Sequence, residues 1–341
     1  MTRRKTKKKV FHVSLNPDDV LSAKALKSRI GEKEFGRFSA LIEGGCMPLH
    51  IPSRSLSKAK VSVCGFKQWP EPEKARPFTH LHLPEEVKMQ AQAIVKAENE
   101  LLRKSKTPGS WIDGEKLAVR KISYNRDGVQ MSVSGLWWSE ILAMKSMSFP
   151  ELADLGAFKL DTNTHVLAKE KRHTLLLVGH RGRKPGDPRM GAEAMLAPAK
   201  PGTQWTLATN GTLDADVLRS SDETDAWIKN SMSEFEQELG VEGKYLLKYL
   251  GLMVDTRMFT GAIGIVGSIH TNLTPDQIDE ARSRARDGVE VSALDVIPLE
   301  KEALARYLRK NRDNMVPQLI TGIVLLGYKR WGQDFLALAD R

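Results

Sequence analysis

Residues 222–241 read DETDAWIKNSMSEFEQELGV, and the rest of the chain is organised around whether this stretch is a helix. Trp227, Ile228, Met232, Phe235 and Leu239 supply apolar positions at helical spacing. Gly240 follows the last of them and supplies a stop. In that helix Asn230, Glu234 and Glu238 stand at i, i+4 intervals and share one face. Two carboxylates so placed repel each other by roughly a few tenths of a kcal/mol on an isolated helix. A hard cation such as Mg²⁺ reverses the sign, because it takes oxygen ligands and binds through one or two carboxylates plus substrate phosphates. The competing reading is a solvated acidic face.

Outward from the helix, the flanking segments alternate between strand and turn chemistry. TLATNGTLDADVL, residues 206–218, reads as strand, glycine turn and loop. Upstream, residues 165–178 form a possible hairpin whose second arm, TLLLV, is continuously apolar and therefore predicts a central strand buried on both faces. GHRGRKPGDPRMG, residues 179–191, is loop chemistry. Its Arg181, Arg183 and Lys184 are candidates for phosphate contact, since glycines permit close approach and Arg donates bidentately. A solvated hairpin tip competes with that reading.

Downstream, YLLKYLGLMVD at 245–255 and GAIGIVGSI at 261–269 predict strands. Thr274, Pro275 and Gln277 open a helix that ends at Asp287-Gly288. VEVSALDVIPL, residues 289–299, is a final strand leading to a helix from Glu300. LITGIVLLG, residues 319–327, is a buried helix, and with GAIGIVGSI it is too short to span a bilayer.

The first third carries different signals. Asn16 with Pro17, Asp18 and Asp19 starts a helix that runs to about Ile30. SALIE at 39–43, MPLHI at 47–51 and KVSVCGF at 60–66 predict extended pieces. QWPEPEKARP at 68–77 is a surface connection. A long helix then spans 84–104 on a stripe of Val87, Ala91, Ile94, Ala97 and Leu101, and TPGS at 107–110 marks a domain boundary. LAVRKISYN and GVQMSVSGLWW read as strands, followed by a helix near 139–147. Trp137 and Trp138 pack in or over the core, or offer a platform for a nucleobase. Cys46, His50, Cys64, His80 and His82 lack the paired short intervals of structural zinc, and buried thiols with ordinary surface imidazoles account for them.

The composition, 41% hydrophobic and 28% charged over 341 residues, is that of a globular protein and excludes a disordered chain. Two cysteines make no disulfide framework and point to a reducing cytoplasm. The basic start is followed by polar NPDD, unlike a secretory signal. Net charge is +10, and Arg3, Arg4, Lys5, Lys7, Lys8 and Lys9 belong to a basic tail, expected to be disordered, at 1–12. That tail suits nucleic acid or another polyanion, or is merely solvated.

Taken together, TLLLV, the glycine turn, the acidic helix and the two strands after it resemble the Nudix hydrolase family. Its motif is Gly, five residues, Glu, seven residues, then Arg-Glu-apolar-any-Glu-Glu-any-Gly-apolar. Glu234, Phe235, Glu238, Gly240 and Val241 match it. Ser233 stands at the Arg position, Gln237 at one metal-binding Glu, Asp225 at the upstream Glu, and Arg219 at the opening Gly, unless Gly211 serves through an inserted loop. The resemblance implies an α/β (α+β) fold, a Nudix-like α/β/α sandwich with a mixed sheet over 116–335, preceded by a smaller α+β domain at 13–110. It further implies Mg²⁺, or Mn²⁺, on Glu234, Glu238 and Gln237, with Glu234 helping to activate water and Glu290 resembling a late general base. The expected substrate is a nucleoside diphosphate linked to another group. The missing Arg and Glu keep open a degenerate relative that binds a nucleotide or partner as a sensor or regulator.

Overall fold

A single strand organises the sheet. The computed structural model describes residues 10–43, 45–52, 60–65, 79–104, 113–125, 128–181, 205–222, 225–243, 245–256, 261–288 and 291–340. Within them β6 (Phe158–Glu170) is the longest strand. One edge of β6 pairs in parallel with β11 (Ala262–His270) from Lys159 to Leu167. Its other edge serves three antiparallel strands in succession. They are β4 (Glu115–Asn125) at Phe158 and Lys159, β9 (Thr209–Thr212) at Asp161 to Thr164, and β7 (His173–Arg181) at Val166 to Glu170.

From this junction the sheet extends to twelve strands among the described residues. β11 continues to β10 (Leu246–Val254) and β2 (Met47–His50), while β4 continues to β5 (Gly128–Trp137) and β3 (Lys60–Gly65). β1 (Phe11–Val13) lies on β4. β8 (Trp205–Leu207) and β12 (Val291–Pro298) flank β7. The segment 13–110 therefore contributes strands to the same sheet as the segment 116–335, and residues 11 and 12, read as tail, belong to β1.

Period-two alternation along β6 assigns the two helical layers. Leu167 joins a core with α3 (Glu32–Leu41), α10 (Lys301–Asn311), α11 (Pro317–Trp331) and α12 (Gln333–Ala339). Val166 and Ala168 join the opposite core with α8 (Ala226–Leu239) and α9 (Pro275–Arg282). TLLLV is central as expected, with Leu176 and Val178 in the first core and Leu177 in the second. The result is the mixed α/β/α sandwich that the sequence implied. LITGIVLLG lies in α11, buried throughout, and no helix among the described residues is long and apolar enough to cross a membrane.

Four local expectations are corrected. SALIE is not a strand: its first three residues finish α3, because Phe35, Phe38 and Leu41 fall at three-residue intervals that bury one helical stripe. The single helix expected to Ile30 is broken into α1 (Pro17–Leu21) and α2 (Lys24–Ile30) by Ala23 at φ 52°. DADVL, read as loop, contains α7 (Ala215–Arg219), and the helix near 139–147 is α5 (Trp138–Ala143) followed by an unanticipated α6 (Phe149–Leu155). Such short helices are held by tertiary packing, which local propensity does not report.

His165 sits fully buried on the α11 face of β6, close against Gly322. Burial drives its pKa down from 6.5 to about 4, opposed by a smaller pull from the Gly322 backbone. The unfolded chain therefore binds this proton more readily than the folded one, so stability present above pH 6.5 is lost as pH falls towards 4. The loss amounts to about 3 kcal/mol. Urea unfolding between pH 7 and 4 should show this slope, and His165→Leu should flatten it.

Candidate diphosphate and cation site

The helix that opened the reading forms as expected, but its polar face points inward. Trp227 is buried over Gly267 of β11, where a Cβ would stand 3.0 Å from the indole ring. Asn230 is 1% exposed; its Nδ2 donates to Thr162 Oγ1 at 2.9 Å and its Oδ1 accepts from the Asp214 N–H at 3.4 Å. One turn later Glu234 is half-buried, and Glu238 beyond it is 4% exposed. Glu236, on the other side, is the solvated carboxylate. The C-terminal stop is geometric: Gly240 has φ 64°, and a Cβ there would run into the Ala281 carbonyl of α9.

What brings the two glutamates together is the outer edge of β9. Among the described residues that strand pairs only with β6, so its far side needs another partner. Glu238 Oε2 supplies one by accepting the Asn210 N–H at 3.1 Å. The next residue, Gly211, has no side chain, and the Glu234 carboxylate fills the space that a Cβ would take. Two carboxylates thus meet consecutive residues of one strand. Gln237 turns elsewhere, its Nε2 donating to Ser233 Oγ at 2.7 Å. Two of the four positions that depart from the Nudix motif, Ser233 and Gln237, are therefore bonded to each other.

Sequence reasoning found Glu234 and Glu238 but missed their partners. Asn210 contributes through its backbone, which composition cannot show. Gly211 was visible as a candidate opening glycine, and its service to Glu234 rests on close approach. Thr162, opposite Gly211 in register, had no signal beyond its place in a strand.

Arg181 ends β7, with its backbone opposite Val291, while its side chain, Arg183, Lys184 and Glu290 lie outside the described residues. So do Arg3, Arg4, Lys5, Lys7, Lys8 and Lys9. In the first third, Cys46 is buried, His50 Nδ1 and Tyr249 Oη are 2.9 Å apart, and Cys64 Sγ donates to the Met131 carbonyl. His80 lies 3.8–3.9 Å from Glu140 and Glu115, and His82 is exposed.

Among the described residues no group of three His, Cys, Asp or Glu side chains converges as a metal cage. The pair Glu234 and Glu238 does fit a Mg²⁺-type ion, which is content with one or two carboxylates and completes its shell with water and phosphate oxygen. Gly211 is the cradle that makes the fit possible, because any side chain there would displace one of the two donors. Gln237, expected as a third ligand, is engaged with Ser233 through its amide nitrogen.

No protein-family model matches the chain, and no curated protein matches it at a significant level. Solved structures of Nudix-domain proteins are similar to it over a little under half of its length. The Nudix domain of Shewanella oneidensis NrtR, crystallised with ADP ribose, shares 13% identity over 46% of this chain and 88% of its own, at a TM-score of 0.27. A MutT/Nudix family protein from Listeria innocua shares 17% identity over 46% of this chain and 92% of its own, at a TM-score of 0.26. A Deinococcus radiodurans protein shares 13% identity over 45% and 73%, at a TM-score of 0.28. At these values no side chain receives a role by superposition.

Gly211→Ala separates the site from the fold. The flexible carboxylate of Glu234 gives way to the new methyl, so calorimetry should show a stability loss of only about 1 kcal/mol. Mn²⁺ affinity should fall by about 10 to 100-fold, because a ligand has lost its seat.

Proposed function

We propose that this protein is a Mg²⁺-dependent hydrolase acting on a nucleoside diphosphate linked to another group. The observation that supports the reading most is the seating of Glu234 and Glu238 on Gly211 and Asn210. A divalent cation bound there supplies charge neutralisation for two adjacent phosphates and lowers the pKa of a water. The chain's own residues do the rest. Asn210 fixes Glu238 through its N–H, and Asn230 ties α8 to β6 and to the backbone of Asp214, so the carboxylates are held before substrate arrives. Glu234, only half-buried, keeps a carboxylate that accepts a proton from water. Arg181, Arg183 and Lys184 are proposed to hold phosphate, and Glu290 to act as base.

A second reading has its own support. Ser233 and Gln237 replace an Arg and a carboxylate, and their mutual hydrogen bond occupies both. A fold that has lost an anionic ligand binds metal more weakly, and it then serves as a sensor or regulator that holds a nucleotide without cleaving it. Contact with nucleic acid through the basic tail belongs to either reading, and it should weaken steeply with salt.

Turnover decides between them. Purified protein with Mg²⁺ should release product from at least one of ADP-ribose, nucleotide sugars, dinucleoside polyphosphates or nucleoside triphosphates. Glu238→Gln retains an oxygen for the Asn210 N–H but removes the charge, so it should keep its melting temperature and lose at least about 100-fold in activity. Ligand binding with no Mg²⁺-dependent product would favour the sensor.

A further inference from the structure

On the sheet face opposite α8, three basic side chains, Lys248, His270 and Arg330, gather towards one end of β10 and β11. Val266 belongs to the core beneath α11, so Ser268 and His270, two and four residues on, face the same layer. Lys248 pairs directly with Ser268 across β10 and β11 and shares that face. α11 runs antiparallel over β10, with Gln318 Nε2 on Asp255 and Leu325 against Gly251, so Arg330 near its C-terminal end comes over the Lys248 end of β10, its guanidinium 5.5 Å from the Trp331 ring. Among the described residues neither Lys248 nor Arg330 has an ion pair, and both act on the His270 ring.

We propose that Lys248, His270 and Arg330, with the Ser268 hydroxyl beneath them, form a binding site for a phosphate group. Like charges gathered on one surface repel, and an anion turns that repulsion into attraction. Lys248 and Arg330 are exposed and reach an incoming ligand, whereas Ser268 is 1% exposed and fixed in the sheet. Ser268 Oγ lies 3.2 Å from His270 Nε2. With the imidazole neutral, the hydroxyl donates to Nε2 and leaves Nδ1–H for the anion. With the imidazolium, Nε2–H donates to Oγ and Nδ1–H remains available to the anion. Either state offers the phosphate a donor. Arg supplies paired donors to phosphate oxygens, and Lys supplies a point charge. The site lies across the sheet from Glu234 and Glu238 and does not depend on the hydrolase reading.

Burial first, then the charges of Lys248 and Arg330, lower the His270 pKa from 6.5 to about 4, which gives the test its readout. Histidine resonances of the full chain, titrated with inorganic phosphate, with AMP, and with chloride at matched ionic strength, should show the His270 midpoint rising saturably with phosphate or AMP. A larger effect of AMP assigns phosphate esters; a larger effect of inorganic phosphate assigns the free ion; both sustain the site. Lys248→Ala and Arg330→Ala should each raise the ligand-free midpoint and weaken phosphate binding by about tenfold. Lys310→Ala, an exposed control, should do neither, and Glu238→Gln should leave phosphate binding here intact. An equal shift with chloride, no shift with phosphate, or unchanged phosphate affinity in both variants would overturn the proposal.

Discussion

The backbone N–H of Asn210 and the carboxylate of Glu238 make the bond on which the site depends. Its origin is topological. β6 shares one edge among β4, β9 and β7, so β9 is limited to four residues and, among the described residues, pairs on one side only. An N–H on the free edge of a half-covered strand is costly to bury unsatisfied, by about 1–3 kcal/mol. Closing it with a carboxylate sets the depth and rotation of α8, and the same rotation carries Glu234 over Gly211 and Asn230 onto Thr162. Fold stability and site geometry are in this way one set of contacts.

Two of the departures from the Nudix motif, Ser233 and Gln237, lie on α8 itself. Ser233 and Gln237 bond each other on α8. What they remove is charge. An ion bound as proposed, by Glu234 and Glu238 without a third carboxylate, is expected to be correspondingly loose and dependent on substrate phosphate to complete its shell.

Much of the architecture was legible in the sequence. TLLLV declared a doubly covered strand, and the Gly240 stop and the apolar positions of α8 defined the helix to within a few residues. The capping box at Thr274 and Gln277 was read correctly and opens α9 with Pro275. The direction of the acidic face was not legible. Asn230, Glu234 and Glu238 carry the letters of a solvated stripe, and only the unpaired edge of β9 turns them inward. SALIE misled for a related reason, since its apolar residues fit a strand until Phe35 and Phe38 are counted with Leu41. Nor does local sequence report that β2 closes on β10 or that β3 joins β5, pairings between residues far apart in the chain.

Mn²⁺ binding followed by electron paramagnetic resonance, with and without a nucleoside diphosphate ester, tests the central claim most directly. A bound Mn²⁺ signal is expected that the ester strengthens, that Glu234→Gln and Glu238→Gln each remove, and that Gln237→Leu leaves in place. Mn²⁺ bound equally by the wild type and both glutamine variants, or lost on Gln237→Leu while Glu238→Gln retains it, would contradict a site built on the two carboxylates above Asn210 and Gly211.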